Sequence, residues 1–123
     1  MPDTTPKSTG NVTIDKFLEH CHRRRYPAKS VIIYAGDQPD VLYYIIKGSV
    51  SVLIEDEDGH EIVLAYLNPG DFFGEMGLFG ENTNRSAWVR TKSQCELAEI
   101  SYSRYRQLAE QDAGILFALA GQM

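Results

Sequence analysis

The chain has no apolar run long enough to cross a bilayer, which takes about eighteen residues or more. Its opening, Met-Pro-Asp-Thr-Thr-Pro-Lys-Ser-Thr-Gly, also lacks the apolar stretch of a signal peptide. A cytoplasmic protein that does not engage a membrane is therefore expected. Cysteine is scarce: Cys21 and Cys95 stand far apart with no Cys-x-x-Cys spacing, which argues against a zinc or iron–sulfur site and, in a reducing compartment, against a disulfide. Histidine is scarce too. His20 and His22 read as helical and His60 as part of a hairpin, so no histidine–carboxylate set converges as a cupin-type metalloenzyme would need. No nucleophile has an adjacent base, and the expectation is no metal and no enzyme. Positive charge is in deficit, 12 Lys and Arg against 17 Asp and Glu, giving a net charge of −5 and a pI near 5.1. That is the wrong sign for a segment that itself wraps DNA phosphates.

What is present is a single core's worth of apolar residues, 43% of 123, in a pattern that changes period twice. Residues 1–12 are polar and proline-bearing, and read as a disordered tail. From Thr13, a plausible N-cap, Ile14, Phe17, Leu18 and Cys21 recur at helical spacing, and the helix is expected to run on until Pro27 ends it. Glycines then recur every eleven or twelve residues, at 36, 48, 59 and 70, between β-rich runs at 30–34, 41–46, 49–55, 61–67, 86–91 and 95–100. Asp58-Gly59 is a two-residue hairpin signal and Asn68-Pro69-Gly70-Asp71 a turn. The expected fold is mainly β, a double-stranded β-helix or jelly roll with flanking α-helices. Helical period returns after Ser101, a candidate N-cap, and a further helix from about Asp112 is apolar nearly all round.

One segment carries the chemistry. Residues 73–79 read Phe-Gly-Glu-Met-Gly-Leu-Phe, and residues 85–89 read Arg-Ser-Ala-Trp-Val. Gly74 lacks a Cβ and permits a turn or a close approach. The N–H groups of a short helix opening at 75–77 would face an anion. Arg85 supplies a planar fork matched to two phosphate oxygens. Ser86 adds a hydroxyl, and its backbone and that of Ala87 add donors. Glu75 repels phosphate, so it suits a sugar hydroxyl one step along the same ligand. Met76, Leu78 and Phe79 read as core anchors for the helix.

The order Gly-Glu-x-Gly-Leu-Phe then Arg-Ser-Ala-x-Val resembles the phosphate-binding cassette of cyclic-nucleotide-binding domains. Tyr26 to Ser30, Gly36-Asp37, Leu42 to Val50, Tyr66 to Asp71 and Cys95 to Tyr102 extend the resemblance to the bacterial cyclic-AMP receptor protein (catabolite activator protein) family, over about residues 18–123. That resemblance implies a cyclic-nucleotide-binding domain over 13–112 and the start of a truncated dimerisation helix over 113–123. It implies cyclic AMP as the ligand, with Arg85 and Ser86 on the cyclic phosphate, Glu75 on the 2′-hydroxyl and backbone of Gly74 and Ala87 nearby. Ile33, Val52 and Leu67 would wall the sugar and base, and Ala65 stands where relatives can carry a hydroxyl. It further implies a homodimer in the full-length protein, which alone would reach DNA and RNA polymerase, making this the sensor domain of a bacterial transcription regulator. The rival reading is a cyclic-nucleotide domain regulating a kinase, a channel or another non-DNA effector. The cluster His20, Cys21, His22, Arg23, Arg24, Arg25, with Arg104, offers a polymerase-contacting surface by the same analogy; taken alone, it reads as positive charge at a helix C-terminus. The acidic run 55–58 reads as a solvated hairpin tip.

Overall fold

The computed structural model describes residues 12–37, 40–75 and 87–120. Helix α1 (Val12–Glu19) is followed by β1 (His22–Tyr26), β2 (Val31–Ile33), β3 (Val41–Lys47), β4 (Val50–Glu55), β5 (Glu61–Leu67), β6 (Phe72–Phe73), β7 (Trp88–Thr91) and β8 (Cys95–Ser101), then α2 (Tyr102–Gln111) and α3 (Ala113–Ala120). The strands form two antiparallel four-stranded sheets, ordered β1-β8-β3-β6 and β2-β7-β4-β5. This is the mainly-β roll with flanking helices that the sequence predicts.

Strand alternation divides the interior into two layers. Leu42, Tyr44, Phe72, Ala98 and Ile100 point from the first sheet toward the helices and meet Ile14, Phe17, Tyr105, Leu108 and Leu119. Phe17 packs edge-on against Phe72 and Tyr105, with ring centroids 5.6 and 6.1 Å apart. Ile45, Phe73, Cys95 and Leu97 point the other way and meet Ile33, Val50 and Val89 of the second sheet. Between the sheets Tyr43 stacks on Phe73 at 4.8 Å, as their register requires.

The expected first helix is shorter than its pattern. It closes at Glu19 with tightened bonds from the His20 and Cys21 N–H groups to the Phe17 and Leu18 carbonyls, and His22–Tyr26 continues as a strand. His20 and Cys21 of the basic cluster thus close α1, while Arg23, Arg24 and Arg25 lie on a strand and not at a helix C-terminus. Arg24 and Arg25 face Glu99 and Glu96 of β8 at 3.9 and 3.7 Å, and His22 is on a strand. These pairs are solvent-exposed on the arginine side and contribute little energy; backbone pairing with β8 makes the strand.

The β4–β5 connection also differs from a two-residue hairpin. Glu55 pairs with Glu61, and Asp56 organises residues 56–60: its Oδ1 accepts from the N–H groups of Asp58 and His60 while its carbonyl accepts from Gly59. Those bonds hold the Asp56 carboxyl below its usual range, led by the one from His60. Asn68 to Asp71 forms the predicted turn, with Gly70 at φ +95° after Pro69. Ser101 caps α2 by accepting from the Arg104 N–H at 3.2 Å.

Burial of titratable groups predicts alkaline lability. Burial pushes the Cys21 thiol up from 9.0 to about 12 and the Tyr105 phenol up from 10.0 to about 12. Cys95, Tyr44 and Tyr26 also shift upward, chiefly through burial, Tyr26 with help from its hydrogen bond to Glu99. In each case the unfolded chain releases its proton first. Stability from these groups is complete below about pH 9 and is lost as pH rises toward 12. Urea midpoints measured from pH 7 to 11.5 are expected to hold to about pH 9 and then fall; a flat profile contradicts the burial.

Candidate functional site

Register places part of the predicted ligand wall in one row. Ile33 pairs with Val89, Val89 with Val52, and Val52 with Ala65; Leu67 pairs with Val50 one step on, on the same face. Ile33 and Val89 belong to the layer between the sheets, and Val52 and Leu67 are partly buried against it. Three apolar side chains named from the sequence thus share one interior surface. Ala65 lies on that row beside Val52 and brings no hydroxyl to it.

A register shift at Val52/Leu53 explains how β5 meets that surface. Val52 pairs with Ala65 but Leu53 pairs with Val63, so Leu64 is an extra residue, a β-bulge. The bulge turns the outer half of β5 over: Ile62 joins the inner face, while Glu61 joins the outer one and meets the Arg90 guanidinium through two bonds of 3.0 and 2.9 Å. Tyr66, also on the outer face, carries the Lys92 ammonium 4.4 Å above its ring. Leu64 and Ile62 remain 57% and 43% exposed, apolar surface at the free edge of the sheet.

The opposite wall ends in the sequence-predicted polar residues. Strand β6 pairs with β3 for two residues and then turns at Gly74, which is buried with φ +82°. That backbone conformation favours glycine. The Gly74 carbonyl accepts from the Tyr102 hydroxyl at the start of α2, and Glu75 follows, half-buried. Ala87, also half-buried, leads into β7 two residues before Val89. Sequence reasoning missed β6 and the Tyr102 bond: a two-residue strand has no period, and its partner lies 28 residues away.

Arg85 and Ser86 lie outside the described residues, as do Met76, Leu78, Phe79 and most of the expected short helix. The strand expected to open at 86 is described from Trp88.

Elsewhere, surface hollows of about 280 and 420 Å³ share Arg25 and Gln94, the first also lined by Lys47 and Glu96, the second by Tyr26 and Pro27. Neither contains a residue of the predicted site. Asp56, Asp58 and His60 bring ligand-type atoms within 4.8 Å of one another, all near the exposed hairpin tip. The two acceptor bonds at Asp56 Oδ1 explain that grouping. No helix among the described residues is long and apolar enough to cross a membrane.

The structure is an antiparallel jelly roll whose edge strand β6 ends at a left-handed glycine followed by a carboxylate. Residues 23–112 match the family described as cyclic nucleotide-binding domain, and the chain belongs to it. Over 113 residues it is 61% identical to the cAMP-activated global transcriptional regulator Vfr of Pseudomonas aeruginosa, covering 89% of this chain and 53% of that protein. It is 53% identical over 122 residues to the cAMP-activated global transcriptional regulator CRP of Salmonella typhimurium, covering 99% of this chain and 55% of the relative. Among solved structures it superposes with a TM-score of 0.81 on CLP of Xanthomonas campestris, a c-di-GMP responsive global regulator 50% identical to it, over 89% of this chain and 56% of that one. The chain spans about half the length of the curated relatives it matches.

Proposed function

We propose that this chain is the cyclic-AMP-binding sensor domain of a cytoplasmic bacterial transcription regulator. Two observations support the reading within a cyclic-nucleotide-binding family fold: Ile33, Val52 and Leu67 share one apolar face, and β6 ends at a left-handed Gly74 followed by Glu75. The names of the relatives at 53–61% identity support cyclic AMP and transcriptional control. In this reading Arg85 and Ser86 hold the cyclic phosphate, Glu75 accepts from the 2′-hydroxyl, backbone groups of Gly74 and Ala87 complete the polar cradle, and no metal takes part. The binding domain occupies 13–112, and the apolar helix α3 opens a dimerisation helix over 113–123. A ligand shifts a two-state equilibrium only by preferring one state; nucleotide touching both the cradle and that helix would bias the orientation of DNA-reading parts carried by the full-length homodimer, which would also meet RNA polymerase.

Calorimetric titration of this chain with cyclic AMP, cyclic GMP and cyclic di-GMP tests the ligand. Saturable one-site binding of cyclic AMP, abolished or strongly weakened by Glu75→Ala, is the expected result. Heat with cyclic di-GMP and none with cyclic AMP would transfer the site to the ligand class in CLP's description and reject the proposal.

A further inference from the structure

We propose that Tyr102 is a positioning residue for the ligand: its hydroxyl fixes the Gly74–Glu75 peptide so that the Glu75 N–H faces the space between the sheets. The inference rests on the cyclic-nucleotide reading of the same site. It starts from the layers. Tyr102 belongs to the cluster between the first sheet and the helices, whereas Phe73, immediately before Gly74, belongs to the layer between the sheets. The Tyr102 hydroxyl donates to the Gly74 carbonyl, so that carbonyl points back toward the helical layer. No described peptide bond is cis, and in a trans peptide the C=O and the following N–H point in opposite directions. Anchoring the Gly74 carbonyl on the helical side therefore turns the Glu75 N–H toward the ligand side, where it is a fixed donor beside the Glu75 carboxylate.

The anchor is itself well held. Tyr102 is 6% exposed, its own N–H donates to the Asp40 carbonyl at 3.0 Å, and the Arg106 guanidinium lies 5.8 Å from its ring centroid. It is the first residue of α2, whose Tyr105 hydroxyl donates to the Ile115 carbonyl of α3 at 3.2 Å. The same bond that orients the cradle thus links it through α2 to α3. Gly74 is required at the other end, because its φ of +82° is what lets the chain present the carbonyl in that direction.

The test is Tyr102→Phe, which keeps the ring and removes only the donor. At a temperature where circular dichroism shows parent and variant fully folded, cyclic-AMP affinity is expected to fall about 3- to 10-fold, the worth of one neutral hydrogen bond. The ¹⁵N–¹H resonance of Glu75 is expected to move in the ligand-free variant, while those of Val52 and Val89 stay put. A purely structural tyrosine would lower the urea midpoint and leave affinity unchanged, and that result overturns the proposal. A parent that binds no cyclic AMP would remove the reading of the site; the ligand-free Glu75 amide would still decide the positioning claim, which falls if that resonance does not respond.

Discussion

Arg85→Ala is expected to weaken cyclic-AMP binding by about thirty-fold to several thousand-fold, corresponding to roughly 2–5 kcal/mol. In the proposed function the cyclic phosphate brings one negative charge to a site whose sugar and base lie against Ile33, Val52 and Leu67, and the variant leaves that charge without its partner. Glu75 would add a like charge to the same proposed cradle, which then calls for a compensating cation. In the proposed function that cation is Arg85, assisted by N–H donors. Arg85→Lys separates charge from geometry: it keeps the charge and loses the fork, and an intermediate affinity is expected. The loss should appear mainly in the dissociation rate, since a buried charged contact governs how long the complex lasts more than how often it forms. Calorimetry with stopped-flow release checks both, and parental affinity in Arg85→Ala would remove the phosphate assignment.

Gly48→Ala is expected to destabilise the fold by about 3 kcal/mol or more, a large part of the roughly 5–15 kcal/mol that holds a domain together. Gly48 joins β3 to β4 at φ +83°, in the left-handed region that costs other residues about 1–2 kcal/mol. A Cβ there would stand 2.3 Å from the Gln94 carbonyl oxygen, 2.8 Å from Cys95 Sγ and 3.0 Å from Cys95 Cα. Two of these atoms are backbone leading into β8, and the sulfur is held by bonds to the Ser49 and Ser93 carbonyls at 3.2 and 3.3 Å. None can retreat without disturbing β8, an interior strand of the first sheet. Gly59 is the internal control: its φ is also +83°, yet nothing lies within 4 Å of the added carbon. Gly59→Ala should therefore cost only the backbone term, and the difference between the two urea midpoints isolates the clash. Equal midpoints would contradict the packing around Gly48.

Six of the eight strands were legible because their runs are β-rich and are set off by glycines and prolines. Gly70 after Pro69 and the cap at Ser101 each specify local backbone without help from afar. The wall Ile33, Val52 and Leu67 was accessible only through resemblance: three apolar residues on three strands come to one face by register, which no local pattern encodes. His22–Tyr26 was read as helix because the spacing of Ile14, Phe17, Leu18 and Cys21 points onward, and because His-Arg-Arg-Arg-Tyr has no alternation of its own. Its strand is set by β8, whose paired residues lie 69 to 77 positions further along the chain. A local hint was present, since the residue before a proline is pushed out of helical backbone, and Tyr26 precedes Pro27. The wider β4–β5 loop escaped for a different reason: Asp56 competes for the turn through its side chain and overrides the Asp58-Gly59 signal.

The most direct test of the account is an amide map of this chain titrated with cyclic AMP. Resonances of Ile33, Val52, Leu67, Gly74, Glu75, Ala87 and Val89 are predicted to shift together along one saturable isotherm, with those of Arg25, Lys47 and Gln94 unmoved. Shifts confined to the hollow around Arg25 and Gln94, or none at saturating nucleotide, would contradict a ligand held between the two sheets.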